Sequence, residues 1–219
     1  MSGIPEEDQE RLLTVLLLVL TVLSGLVDAV SILSLGHVFV ANMTGNLVFV
    51  SLGLAGAARF SVVISLVALG GFTLGIVFCR TVLTRLSPLL VLVSAATLCQ
   101  TVLLASATAL HALDGSRSGL VLICAVAMGI QNAMAGRVGL AGLTTTVMTR
   151  TLVGLIGDTF TVAHDRRVAA RQALSVAALV TGAVTGGVLV LHVAPPVALG
   201  AATACSLVVA GAATVAARR

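Results

Sequence analysis

Three charged residues stand inside long apolar stretches of this chain: Asp28, Arg150 and Asp158. A carboxylate or guanidinium at the centre of a membrane-spanning helix costs about 2.5–3.5 kcal/mol on insertion scales. Each must therefore face the interior of a bundle and meet a partner or a ligand. On one helix Arg150 and Asp158 would lie roughly 12 Å apart, two turns and too far to bond directly. The economical arrangement pairs Asp28 with Arg150. It reads in two ways, as a substrate or proton site, or as a buried ion pair that holds the bundle together.

A second polar feature is Ala41-Asn42-Met43-Thr44-Gly45-Asn46, which follows Gly36-His37 and interrupts an otherwise apolar region. Asn and Thr favour helix starts, because their side chains accept from the free N–H groups there. A helix starting at membrane depth would offer those N–H groups to an anion or a polar substrate. A comparable run extends from Gly136 to Gly142 and on through Thr144-Thr145-Thr146-Val147-Met148-Thr149-Arg150. Glycine-interrupted segments at matching places in two halves are a sequence pointer to a transporter's site. The candidate ligand-binding residues are Asp28, Asn42, Thr44, Gly45, Asn46, Asn132, Thr149 and Arg150. The competing reading is polar glue, with Asn and Thr bonding across packed helices at about 0.6 kcal/mol each.

Other chemistries find little support. No HxxxH, HExxH or GxSxG occurs, and without lysine there is no phosphate-binding loop lysine. His37 adjoins the polar motif and is of the type that titrates near neutral pH. His111, His164 and His192 fall at span ends. Cys79, Cys99, Cys124 and Cys205 sit singly in apolar runs and read as small hydrophobes. Neither an enzyme, a metal centre nor a bound cofactor is expected.

The elements that must position these residues follow from composition. Of the 219 residues 58 % are hydrophobic and 9 % charged, against roughly 45–50 % and 25 % in soluble domains. So few charges cannot solvate a soluble globule, and so apolar a chain is not disordered. The class is all-α, a polytopic transmembrane helix bundle whose principal partner is the lipid bilayer. Trp and Tyr are absent, so the usual interfacial belt is missing and base-stacking platforms for nucleic acid are lacking.

Apolar runs place spans near residues 12–35, 42–58, 61–83, 88–110, 119–136, 144–163, 172–192 and 196–216. The first run covers about 36 Å, enough to cross a bilayer core of about 30 Å. The runs 42–58 and 119–136 are short, which leaves six to eight spans open. With eight, the side of the N-terminus holds Arg11, Arg59, Arg117, Arg166, Arg167, Arg171, Arg218 and Arg219, and the other holds Arg80, Arg85 and Arg137. That excess puts both termini in the cytoplasm.

The halves resemble each other. Ser24 to Ala29 lies on Met128 to Ala133, which sets Asn132 against Asp28. Met43 to Val48 lies on Met148 to Val153, and Gly71-x-x-x-Gly75 on Gly182-x-x-x-Gly186. The expected organisation is an N-terminal tail over 1–11, one repeat of about four helices over 12–110 and a second over 119–216. An even number of spans per half would leave the repeats parallel, and an odd number would invert them. The two glycine pairs are packing faces, within the fold or in a homodimer.

Gly25-Leu26-Val27-Asp28-Ala29, followed by Val38-Phe39-Val40-Ala41-Asn42-Met43-Thr44-Gly45-Asn46, resembles the YoaK-type family of bacterial membrane proteins, a domain of unknown function. The stretches Gly129-Ile130-Gln131-Asn132-Ala133 and Thr144 to Thr151 resemble its second characteristic region. The likeness runs from about residue 12 to 215, and Asn-Met-Thr-Gly-Asn is its most specific string. The family pattern has Thr-Gly where this chain has Thr149-Arg150, which sets Arg150 apart. The resemblance implies a bacterial inner-membrane location and no established activity. The residues themselves favour a small transporter or permease for a polar or anionic metabolite. Two rivals remain, a non-transporting structural or regulatory membrane protein and a channel.

Overall fold

The computed structural model describes residues 5–141, 143, 145, 151, 153 and 166–218. Among them are seven α-helices: α1 (Glu6–Ser34), α2 (Met43–Leu54), α3 (Val62–Thr81), α4 (Leu89–Ala112), α5 (Arg117–Val138), α6 (Arg166–His192) and α7 (Pro195–Ala217). All but α2 are long and apolar enough to cross a membrane. The chain is thus an all-α multi-pass membrane protein. The run at 42–58 does not form a span. Its helix has 12 residues, about 18 Å of rise, well short of a bilayer core. Of the run at 144–163 residues 145, 151 and 153 are described, and Asp158 lies outside the described residues.

Local signals place the helix ends. Glu6, Glu7 and Asp8 occupy the first turn of α1, where acids favour the positive end of the helix dipole. The helix therefore begins at Glu6 and takes in part of the expected tail over 1–11. Ser61 and Ser116 cap α3 and α5 by accepting from the N–H groups of Ile64 and Gly119. Gly139 ends α5 in the left-handed region, with φ 67°, where glycine carries no Cβ penalty. Pro195 and Pro196 open α7, where a missing N–H costs nothing.

Named contacts give the helix directions. Gly71 meets Leu122 and Gly75 meets Val126 and Gly129, so α3 and α5 run parallel. Gly182 meets Val22 and Gly186 meets Leu26, so α1 and α6 run parallel. Ser94 bonds Thr214 and Thr101 bonds Ser206, so α4 and α7 run antiparallel. The start of α1 lines a shallow cleft with Leu89 and Val138, at the start of α4 and the end of α5. At the other end, Gly36 faces Ile64 and Arg117, the starts of α3 and α5. Hence α1 and α5 are antiparallel. Arg171 bonds Glu10 at 2.6 Å and puts the start of α6 beside the start of α1.

The described residues give six of the expected six to eight spans, with an odd number on each side of the midpoint rather than four. Among the described residues three spanning helices precede the loop 113–116 and three follow it, and α1 and α5 point in opposite directions. The arginines redistribute accordingly. The end that holds Glu6 also holds Arg11, Arg80, Arg85, Arg137, Arg166, Arg167, Arg171 and Arg218, and the other end holds Arg59 and Arg117.

The four glycines of the two GxxxG pairs are buried inside the chain. A Cβ at Gly75, Gly129 or Gly182 would collide with the backbone carbonyl oxygen of Val126, Phe72 or Val22 respectively. Such close approach is what small residues allow between membrane helices. These faces are consumed within the monomer, so a homodimer would need another surface. The outer faces of α3 and α6 expose Leu66, Leu74, Val77, Val180, Val184 and Leu191, as suits contact with lipid.

Candidate functional site

A cavity of about 640 Å³ lies between the α1–α6 pair and the α3–α5 pair, closed on one flank by the start of α2. Helix α1 contributes Gly25 and Asp28, and the following loop Phe39, Ala41 and Asn42. Helix α2 adds Met43, Thr44, Gly45 and Val48. Phe72, Ile76 and Arg80 come from α3, Asn132 and Ala133 from α5, and Leu179 and Ala183 from α6. The size falls within the range of small-molecule pockets, about 300–1,000 Å³.

Five of the eight candidate residues meet here: Asp28, Asn42, Thr44, Gly45 and Asn132. Thr149 and Arg150 lie outside the described residues, and with them the Asp28–Arg150 pairing. Asn46 does not line the cavity. It is fully buried and ties down the preceding loop, accepting from the Phe39 N–H at 2.9 Å and donating to the Phe39 carbonyl at 2.6 Å. Thr44, two residues earlier, stands about 200° around the helix from Asn46 and so faces the other way. His37 is exposed in the turn after α1, with φ 58°, and is not among the cavity residues.

Asp28 is the pivot between span and loop. Its Oδ1 accepts the N–H groups of Val40 at 3.1 Å and Ala41 at 3.0 Å. Those are two of the donors that an extended segment at membrane depth would otherwise leave bare. Oδ2 makes no hydrogen bond among the described residues. The carboxylate also sits against the start of α2, whose N-cap residue Asn42 makes no side-chain capping bond. The negative charge therefore offsets the positive end of that helix. Phe39, Phe49 and Phe60 stack in series, with centroids 5.7 and 4.8 Å apart, and brace α2 between its two loops.

Arg80 is the cavity residue that sequence reasoning missed. Sequence reasoning counted it only among the arginines on the side opposite the N-terminus; it occupies the last turn of α3 and reaches the cavity wall. It belongs to neither of the described ion pairs, Glu7–Arg11 and Glu10–Arg171. Counting helix rise from the neighbouring residues Gly36 and Ile64, Asp28 and Arg80 stand about 12 Å apart along the bundle at backbone level.

A separate polar chain crosses the core. Gln100 donates to Gln131 at 2.7 Å, and Gln131 donates to Ser24 at 2.8 Å and to the Leu20 carbonyl at 3.2 Å. Thr101 donates to Ser206 at 2.9 Å, which itself donates to the Thr97 carbonyl at 3.1 Å. These groups are satisfied by one another and join α1, α4, α5 and α7.

The profile of the family described as "Protein of unknown function (DUF1275)" matches residues 16–212. The chain is 33 % identical over 147 residues to the UPF0700 transmembrane protein YoaK of Bacillus subtilis (strain 168). The match spans 65 % of this chain and 65 % of that relative, just under two thirds of its length. No solved structure matches.

Proposed function

We propose, from the premise that this chain belongs to the DUF1275 family of unknown function, that it is a transporter or permease for a small polar or ionic metabolite. The observation that carries the reading is the cavity, which gathers Asp28, Asn42, Thr44 and Gly45 from the N-terminal half and Asn132 from the C-terminal half. The helix directions add weight. Three spans per half with α1 and α5 antiparallel is the layout of an inverted-topology duplication, in which sites lie where the repeats meet. In that duplication Asn132 is the counterpart of Asp28, so the site carries one carboxylate and one amide at related positions. The close packing of α1 on α6 and of α5 on α3 is then one contact made twice.

The chain resides, on this reading, in the bacterial cytoplasmic membrane with both termini in the cytoplasm. Among the described residues the end bearing Glu6 holds eight arginines against two at the other end, and the arginine-rich side is the inner one. The helix-glue alternative is favoured for particular residues only. Asn46 and the Gln100–Gln131–Ser24 chain bond within the fold and would line no path.

The test is a thermal-shift screen of the purified chain against small metabolites, with wild type beside Asp28→Asn. A ligand at 100 times its Kd stabilises by about 2.7 kcal/mol. A ligand that protects wild type but not a folded Asp28→Asn variant would then be followed by uptake into proteoliposomes. Protection without uptake would leave a binding protein rather than a transporter.

A further inference from the structure

Resting on the reading of the cavity as a ligand site, we infer that its ligand is a zwitterion, carrying an ammonium and an anionic group at opposite ends of one small molecule. Two formally charged side chains are among the described cavity residues, and they have opposite signs: Asp28 and Arg80. They do not neutralise each other, since neither takes part in a described ion pair. About 12 Å separates them along the bundle at backbone level, and the two side chains together shorten that gap by several ångströms. Asp28 lies within the span of α1 and Arg80 is exposed in the last turn of α3, at the arginine-rich end of the cavity, and one ligand with a charge at each end can match both.

The alternatives fit less well. A simple anion would be drawn to Arg80 and to the start of α2. However, Asp28 already holds the two N–H groups just before α2 and places a negative charge there. A simple cation would satisfy Asp28 and leave Arg80 facing an unmatched site. An ammonium on Oδ2 of Asp28, flanked by Asn42 and Thr44, with the acid group on Arg80, uses both poles. The guanidinium fork suits a carboxylate in particular. The intervening wall, with Phe72 and Ile76, is apolar and matches a short hydrocarbon linker.

The experiment measures binding to the purified full-length chain by isothermal titration. The probes are ω-amino acids from β-alanine to 6-aminohexanoate, each beside the monoamine and the monocarboxylate of equal chain length. The expected result is one chain length at which the amino acid binds at least about tenfold more tightly than both partners, a difference of about 1.4 kcal/mol. Asp28→Asn should reduce the amino acid to the affinity of the monocarboxylate, and Arg80→Gln should reduce it to that of the monoamine. Monocarboxylates binding as tightly as the amino acids, untouched by Asp28→Asn, would overturn the zwitterion and leave an anion transporter. Monoamines binding equally well would overturn it in favour of a cation. Absence of binding by all three classes would overturn both this inference and the cavity as their site. The wild-type series alone decides among these outcomes if a variant does not fold.

Discussion

Asp28 accepts the backbone N–H of Ala41 at 3.0 Å, across thirteen residues that include the turn after the first membrane helix. With the Val40 N–H at 3.1 Å on the same oxygen, this bond fixes where the polar segment before α2 lies against the span. A single carboxylate thus does two things: Oδ1 holds the loop, and Oδ2 remains for the cavity.

Those two roles should separate by substitution. Asp28→Asn keeps an acceptor at Oδ1 and should fold with a Tm close to wild type. Asp28→Ala removes the acceptor from two backbone donors and should destabilise by about 2–6 kcal/mol, at about 1–3 kcal/mol per buried group left unpaired. Thermal denaturation in detergent checks the pair. Equal Tm values for the two variants would refute the loop-holding role.

Asn46→Ala should damage stability rather than ligand recognition. It strips the partner from both the N–H and the carbonyl of Phe39, at a cost of about 2–4 kcal/mol. Ligand affinity of the folded fraction should stay within about threefold of wild type, a shift under 1 kcal/mol. Asn46→Asp should not rescue, because a carboxylate cannot donate to the Phe39 carbonyl. Titrating a ligand into the folded fraction, beside thermal melts, reads both effects.

Gly129→Ala and Gly182→Ala should each lower stability by about 1–3 kcal/mol, the usual cost of overpacking. In both, the new methyl meets a backbone oxygen, of Phe72 or Val22, rather than a side chain that can swing away. Gly70→Ala is the control, since nothing lies within 4 Å of its would-be Cβ. Melting curves of the three variants should set the control near wild type, and three equal curves would contradict the packing described.

The Gln100–Gln131 bond should show strong coupling. Either residue changed to Leu leaves a buried amide without its partner, at about 1–3 kcal/mol, whereas changing both removes the need. Gln131 has a further role, donating to Ser24 and the Leu20 carbonyl, so Gln131→Leu should cost more than Gln100→Leu. A double-mutant cycle on thermal stability measures the coupling. Simple additivity would show that the two amides act independently.

The six-span topology has its own check. In a cysteine-free background, Arg59→Cys and Arg117→Cys should react with a membrane-impermeant maleimide from one side, and Arg85→Cys from the other. An eight-span arrangement would instead place position 85 opposite 59 and 117 with the inside and outside exchanged, so the sidedness relative to the termini distinguishes the two. With cytoplasmic termini, only positions 59 and 117 should label in intact cells.

Class and location in a bilayer were legible from composition, because long apolar runs with so few charges have one stable solvent. Asp28, Asn42, Thr44 and Gly45, which line one cavity, were legible as candidates because polar side chains at membrane depth are costly. Sequence spacing could not show that Asn46, in the same motif, turns inward to the Phe39 backbone, since a helix divides neighbours between faces only once its packing is set. Nor could it place Arg80. A residue at the end of an apolar run reads as a loop charge until the neighbouring helices form a wall beside it. The number of spans and the sense of α5 also waited for the tertiary structure. Hydropathy measures how apolar a segment is, whereas a helix's direction is decided by which glycine faces meet, and those contacts join residues more than a hundred positions apart as well as near ones.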